Sequence, residues 1–265
     1  MSASAPQSLS LGETGRQENL SSHRLAPVYW TGQVDGEDRL YREFVKAEDE
    51  GDPITTSLRY MLANKPFDPD YGSPWSAESS IGTSISDDNT ITVDVGSGAF
   101  AADLSPEQAE LAVQQLVYTA TAAAWTSGLL AEGTAPSVRL LIDGRTDLRA
   151  FDHVDLGRPL VRDADLRAPV WIIDPQYGTS RAAGSITLTG VAEDFPGGLH
   201  WKVAEAEAPE QVVTEGTFGD DQTEGEGFSE SLALPPGIYE VSVWGVDSTG
   251  ATSGLDTKHF TISGT

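Results

Sequence analysis

The stretch SPEQAELAVQQLVYTATAAA, Ser105 to Ala124, decides the fold. Ser105 is an N-cap residue, because its hydroxyl can accept from a free amide of the first turn. Pro106 follows at N1, where a missing N–H costs nothing. Gln108 at N3 completes a Ser-x-x-Gln capping box. Glu107 and Glu110 place negative charge near the positive end of the helix dipole. Ala109, Ala112, Val113, Leu116, Val117, Ala120 and Ala124 recur at helical spacing and define one apolar face. Gln108, Gln114, Gln115, Thr119 and Thr121 fill most of the remainder. Alanines on the buried side predict close packing, flat against a sheet. That face carries no acid, base or nucleophile, so the best-defined element reads as scaffold.

Outward from this helix, the first half alternates strands and helices. Pro27 to Trp30 and Arg39 to Val45 read as two strands joined by a DGED turn at 35–38. Asp52-Pro53 opens a helix by the same capping logic, with Ile54, Leu58, Met61 and Leu62 as its stripe. NKPFDPDYGSPW, Asn64 to Trp75, is too rich in proline to be regular. TITVDV at 90–95 precedes the long helix and VRLLI at 138–142 follows it, ending at the turn signal Asp143-Gly144. The order β-β-α-β-α-β predicts an α+β domain, two helices on one face of a mixed sheet.

Residues 144–167 are charged and irregular, and beyond Arg167 no helical period survives. Short β runs at 169–173, 185–191, 199–204, 211–218, 228–234, 238–244 and 257–262 predict an antiparallel, immunoglobulin-like sandwich. Trp201 takes a core position, and Leu234-x-Pro236-Gly237-x-Tyr239 has the form of a tyrosine corner. The division is a polar, flexible tail over 1–25, an α+β domain over 26–166 and an all-β sandwich over 167–265.

The chain has 16 Lys plus Arg against 41 Asp plus Glu, a net charge of −25. Such a surface repels phosphate backbones, which argues against nucleic acid as a partner. No cysteine is present, so disulfides, thiolate nucleophiles and Cys-ligated metals are excluded. No stretch approaches the roughly 20 apolar residues of a membrane span.

Several motifs carry a family resemblance. Ser57-Leu58-x-x-Met61-Leu62 with Lys65-Pro66, Ile91 to Val95, Gln114 to Thr119, and Val138 to Gly144 are similar in order and spacing to a GerMN domain, the sporulation and spore-germination type. Val170-Trp171-Ile172-x-x-Pro175-x-x-Gly178, Leu188-x-Gly190-x-Ala192-x-x-Phe195 and the segment around Tyr239 resemble the immunoglobulin-like Gmad domain that often follows it. The combination resembles actinobacterial envelope lipoproteins. It implies protein–protein assembly outside the membrane, and it implies no catalytic residues. A lipoprotein of this type would carry a signal peptide and a lipid-bearing cysteine, neither of which is in these 265 residues.

Several constellations offer groups that could carry chemistry. Gly96-x-Gly98-x-x-Ala101 fits a loose dinucleotide fingerprint, but the helix starts several residues too late to face a pyrophosphate. His23, His153, His200 and His259 show no metal or triad spacing. Asp143, Asp147, Asp152 and Asp155 in one loop, and Asp220, Asp221, Glu224 and Glu226 in another, offer hard oxygen ligands that would suit calcium, without EF-hand spacing. Phe67, Tyr71 and Trp75 could anchor a partner, stack on a sugar or fold back on the core. Gln114 and Gln115 mark the helix side left for contact.

The resulting expectation is a non-catalytic, extracytoplasmic binding and assembly module. It is anchored as a lipoprotein in its full-length form, with Tyr71, Trp75, Gln114 and Gln115 as candidate binding residues. No catalytic residue, cofactor or metal is assigned. The partner is an unidentified envelope protein, and homo-oligomerisation stays open. The alternatives are a cell-wall glycan-binding module and a calcium-dependent adhesion module.

Overall fold

A computed structural model describes residues 25–219, 223–224 and 227–264. The tail expected over 1–25, with His23, lies outside them except for Leu25, which packs at the edge of an apolar cluster.

Strands β1 (Ala26–Val34) and β2 (Glu37–Val45) form an antiparallel hairpin in register from Ala26↔Val45 to Val34↔Glu37. The turn is only Asp35-Gly36, at φ 53° and 83°. Both residues of such a turn need positive φ, which is why Asp-Gly closes it. Helix α1 (Pro53–Ala63) follows, with the Asp52 carboxylate accepting from Thr55 N at 2.8 Å. Within the proline-rich loop a two-residue strand, β3 (Tyr71–Gly72), pairs with β1 at Thr31 and Gly32. Strands β4 (Ile81–Ile85), β5 (Thr90–Val95) and β6 (Ser137–Ile142) make a mixed sheet. Here β4 runs antiparallel and β6 parallel to β5. Helix α2 (Pro106–Thr126) connects β5 to β6, and its Ser105–Gln108 capping box is formed. A small hairpin, β7 (Arg149–Ala150) and β8 (Val154–Asp155), closes the domain.

The α+β class holds, but the single expected sheet is divided, and α2 lies between the parts. One side of the helix shares a core with Val28 and Trp30 of β1 and with Ile91, Val93, Leu140 and Ile142 of β5 and β6. Leu111, Tyr118 and Ala122 pack instead with Tyr29 and Leu40 of the hairpin. The helix is therefore buried nearly all round, as a helix covered on both sides must be. Its polar residues serve a backbone purpose. β3 covers the free edge of β1 only at Thr31 and Gly32. At Tyr29, Thr119 Oγ1 accepts the backbone N–H at 3.0 Å and Gln115 Nε2 donates to the carbonyl at 2.9 Å. Residues four apart share a helix face, so this pair caps one strand residue completely.

Among the described residues the second half has nine strands, β9 (Val170–Asp174), β10 (Thr179–Ala182), β11 (Gly184–Ala192), β12 (Leu199–Glu205), β13 (Ala208–Thr217), β14 (Thr223–Glu224), β15 (Gly227–Leu234), β16 (Gly237–Val246) and β17 (Thr252–Ser263). They form two sheets, ordered β10-β17-β16-β12-β13 and β14-β15-β11-β9. Between them lies a core of Ile172, Leu188, Trp201, Val203, Phe228, Val241, Val243 and Phe260. Tyr239 Oη donates to the carbonyl of Pro235 at 2.8 Å, which forms the tyrosine corner. The ring folds over Gly237, where a Cβ would come within 2.8 Å of Tyr239 Oη.

Candidate functional site

The most unusual chemistry lies where the two halves meet. Along β17 the inward row reads Asp256, Lys258, Phe260, Ile262. Alternation puts these four on one side of the strand. Phe260 and Ile262 enter the sandwich core, whereas Asp256 and Lys258 face the first domain. The opposing surface comes from β2, which contributes Glu43, and from the proline-rich loop, which contributes Asp68 and Tyr71.

Lys258 Nζ donates to Asp68 Oδ2 at 2.7 Å, to Asp256 Oδ1 at 2.9 Å and to Tyr71 Oη at 2.5 Å. It also lies 4.4 Å from the Tyr71 ring centre. Tyr71 Oη donates to Asp256 Oδ1 at 2.9 Å, and Asp256 Oδ2 accepts from Ile172 N of β9 at 2.7 Å. On the far side, the Glu43 carboxylate accepts from Phe67 N and Asp68 N at 3.0 and 2.9 Å. Lys258 is 2% exposed, Asp68 0%, Glu43 3% and Asp256 5%. Buried charge persists only when paired and hydrogen-bonded, and here every carboxylate has partners.

The electrostatics follow from this packing. Burial works against the charge on Lys258, but Asp256 and Asp68 outweigh it and hold its pKa above the ordinary lysine value. Burial, then Asp256 and Asp68, push the Tyr71 hydroxyl well above the tyrosine range, so it stays a donor. Burial raises the pKa of Glu43, partly countered by the two N–H donors and by Lys258.

Around this network Tyr41 stacks on Tyr71 with ring centres 4.5 Å apart. Val34, Tyr41, Phe44, Ala168, Trp171, Ile173 and Val191 form an apolar cluster across the seam. Four further bonds cross it: Phe44 N to Gln176 Oε1 at 2.6 Å, Ala168 N to Leu40 O at 3.0 Å, and both Gly254 N and Ser253 Oγ to Asp35 Oδ2 at 2.9 Å. The arrangement fixes the two halves of the chain together, and its ionisable groups are taken up by each other.

Of the candidate binding residues, Tyr71 belongs to this seam. Trp75 is buried against Phe100 and Phe151, and its Nε1 donates to Ala112 O at 3.0 Å. Gln114 Nε2 donates to Val161 O, and its Oε1 accepts from Asp163 N. Gln115 is fully buried at the β1 edge. The side of α2 expected to stay open is therefore covered at Gln115 and Tyr118, because the β1–β2 hairpin lies over it.

The other constellations resolve locally. Gly96 and Gly98 make room for Glu78, whose carboxylate would sit 2.7 Å from a Cβ at either position. Asp147 pairs with Arg145 at 2.7 Å, Asp143 accepts from Ser97 N, and Asp155 accepts from Gly157 N. Among the described residues, no three His, Asp or Glu converge on a metal position. Asp220, Asp221 and Glu226 lie outside those residues, as does the side chain of Glu224. His153 contacts Leu104 O, His200 stacks beside Trp244, and His259 pairs with Glu240.

Residues 27–147 match the family described as Germane: Sporulation and spore germination. This part of the chain is a GerMN domain. The tandem GerMN domains of the sporulation protein GerM from Bacillus subtilis are 17% identical, with a TM-score of 0.39 over 54% of this chain and 47% of that one. This chain thus spans about half of the tandem structure. The first GerMN domain of the same protein is 15% identical, with a TM-score of 0.40 over 52% of this chain and 97% of that one. Fibronectin(III)-like modules of Clostridium thermocellum CbhA are 16% identical, with a TM-score of 0.28 over 36% of this chain and 96% of theirs. No curated protein matches the chain in sequence.

Sequence reasoning missed Glu43, Asp68, Asp256 and Lys258. The signal for two of them was present in DTKHFTI, whose alternation aligns Asp256 and Lys258 with core residues.

Proposed function

We propose that this protein is a non-catalytic, extracytoplasmic binding and assembly module of a bacterial cell envelope. In this reading the GerMN domain and the sandwich act as one rigid body. The observation that supports it is the buried Lys258–Asp68–Asp256 network. Its cost in desolvation serves to hold two domains in one orientation, which suits a scaffold presenting fixed surfaces. Crosslinking in intact envelopes, followed by detergent extraction, tests the role. A discrete product with a second envelope protein, reduced when Lys258 is replaced by Met, is the expected result. A chain that stays monomeric under crosslinking overturns it.

The proposal also places the module at the membrane through a lipid carried on a cysteine outside these 265 residues. Among the described residues, no helix is long and apolar enough to cross a bilayer. Fractionation of cells checks this: the native protein should sediment with membranes and be released by detergent. Recovery in the cytosolic fraction would contradict it.

A further inference from the structure

Strand β13 is the outer strand of the five-stranded sheet, and β12 is its one neighbour among the described residues. At ten residues, Ala208 to Thr217, it is the longest outer strand with an open side among the described residues. The other outer strands of the two sandwich sheets, β9, β10 and β14, have five, four and two residues. β2 has nine, but its edge is covered at the seam through Leu40 O and Phe44 N.

Antiparallel alternation tells which groups β13 presents. Phe218 N donates to Leu199 O, so Thr217 and Glu215 turn their N–H and C=O groups away from β12. Val212 and Val213 are 45% and 41% exposed. Val213 is the extra residue of a bulge between the pairs Val203↔Thr214 and Ala204↔Val212, and both valines stand open to solvent there. Unpaired backbone beside exposed β-branched side chains is a template for another strand.

Charge selects the occupant. Glu207, Glu210 and Glu215 lie on or beside β13; Lys202 of β12 stands opposite Glu215, and no other Lys or Arg occurs from there to Lys258. A second copy of a chain with net charge −25 is repelled from this edge. A basic strand is attracted and gains main-chain hydrogen bonds. We propose that the open edge of β13 receives an extended, Lys- or Arg-rich segment of a partner protein by strand addition. This rests on the reading of the chain as a binding module and specifies the surface and chemistry of the contact.

The test uses the full chain, labelled with ¹⁵N, and a synthetic peptide of about eight residues with lysine alternating with valine or threonine. Amide shifts confined to residues 208–217 are expected. The same peptide with N-methyl groups on alternate residues keeps its charge but cannot form the ladder, and it should fail to bind. Glu215→Pro removes an outward N–H without touching the bonds to β12 and should weaken binding by about tenfold, which corresponds to ~1.4 kcal/mol. Glu215→Gln controls for the lost charge and should change it less. No binding at millimolar peptide, or equal binding by the N-methylated peptide, overturns the proposal. Either result leaves the envelope crosslinking experiment untouched, so failure of the edge and failure of the module reading are distinct.

Discussion

Replacing Lys258 by Met keeps most of the buried stem and removes the charge. Three hydrogen bonds are lost, two of them charge-assisted to Asp68 and Asp256. Both carboxylates then remain buried, at 0% and 5% exposure, without their cation. Breaking one partner of such a buried pair costs about 3–5 kcal/mol. With a urea slope of about 2.5 kcal/mol per molar, the unfolding midpoint should fall by roughly 1–2 M. Tryptophan fluorescence reports both halves, because Trp30, Trp75 and Trp125 lie in one and Trp171, Trp201 and Trp244 in the other. Adding Asp68→Asn and Asp256→Asn to Lys258→Met removes the uncompensated charges, so the triple variant should be more stable than the single one. The raised lysine pKa fixes the pH sign. The folded state holds this proton more tightly than the unfolded chain, so the contribution is complete below the ordinary value of 10.5 and is lost as pH rises beyond it. A loss under about 1 kcal/mol for Lys258→Met would refute the assignment of the seam to this network. A triple variant no better than the single one would refute its electrostatic origin.

Other substitutions probe the elements that position the seam. Thr119→Val is nearly isosteric and leaves Tyr29 N–H without an acceptor, for an expected loss of about 1–3 kcal/mol in urea unfolding; Thr119→Ser should recover most of it. Glu43→Gln offers one acceptor oxygen where two backbone N–H groups now bind, and should cost about 1–3 kcal/mol despite removing a buried charge, with hydrogen exchange at Phe67 and Asp68 accelerated. Asp52→Ala removes the α1 cap and should cost about 1 kcal/mol at pH 7. Burial raises the Asp52 pKa, but bonds from Thr55 and Thr83 outweigh it and lower the pKa overall. Its contribution is therefore present above the ordinary value of 3.8 and fades as pH falls through the folded value, so the gap between variant and native protein should close in acid.

The local elements were legible because their signals are local. Ser105, Pro106 and Gln108 fix the start of α2, Asp52-Pro53 fixes α1, and Asp35-Gly36 closes the hairpin by positive φ. Tyr239 declares its corner through the Pro-Gly spacing before it. What each element faces was harder to read. Gln115 and Thr119 look like a solvent face in a helical projection, yet both are buried, because they pair with one residue of β1 about 90 positions away. Asp68 sits in a loop whose composition says only that it is irregular, and its partner Lys258 is 190 residues on. Polar residues inside a protein are placed by their partners, and no period within a short window encodes a partner that distant.

The polar character of the seam follows from what an apolar contact cannot do. Tyr41, Phe44, Trp171, Ile173 and Val191 already supply adhesion, but the hydrophobic effect is non-directional and tolerates sliding. The ionic chain does not. It runs from Glu43 on β2 through the Asp68 amide and carboxylate to Lys258 and Asp256 on β17, and on to Ile172 N on β9, with each step at 2.7–2.9 Å. A shift of about one ångström at any point breaks several of these bonds together and strands buried charge, so one arrangement is strongly favoured over its neighbours. From β17 the order is carried through β16 and β12 to β13 by antiparallel ladders, interrupted by register shifts at Val243/Gly245 and at Val203 to Glu205. The first half is thereby held in fixed relation to the edge strand β13, the longest outer strand of the sandwich among the described residues.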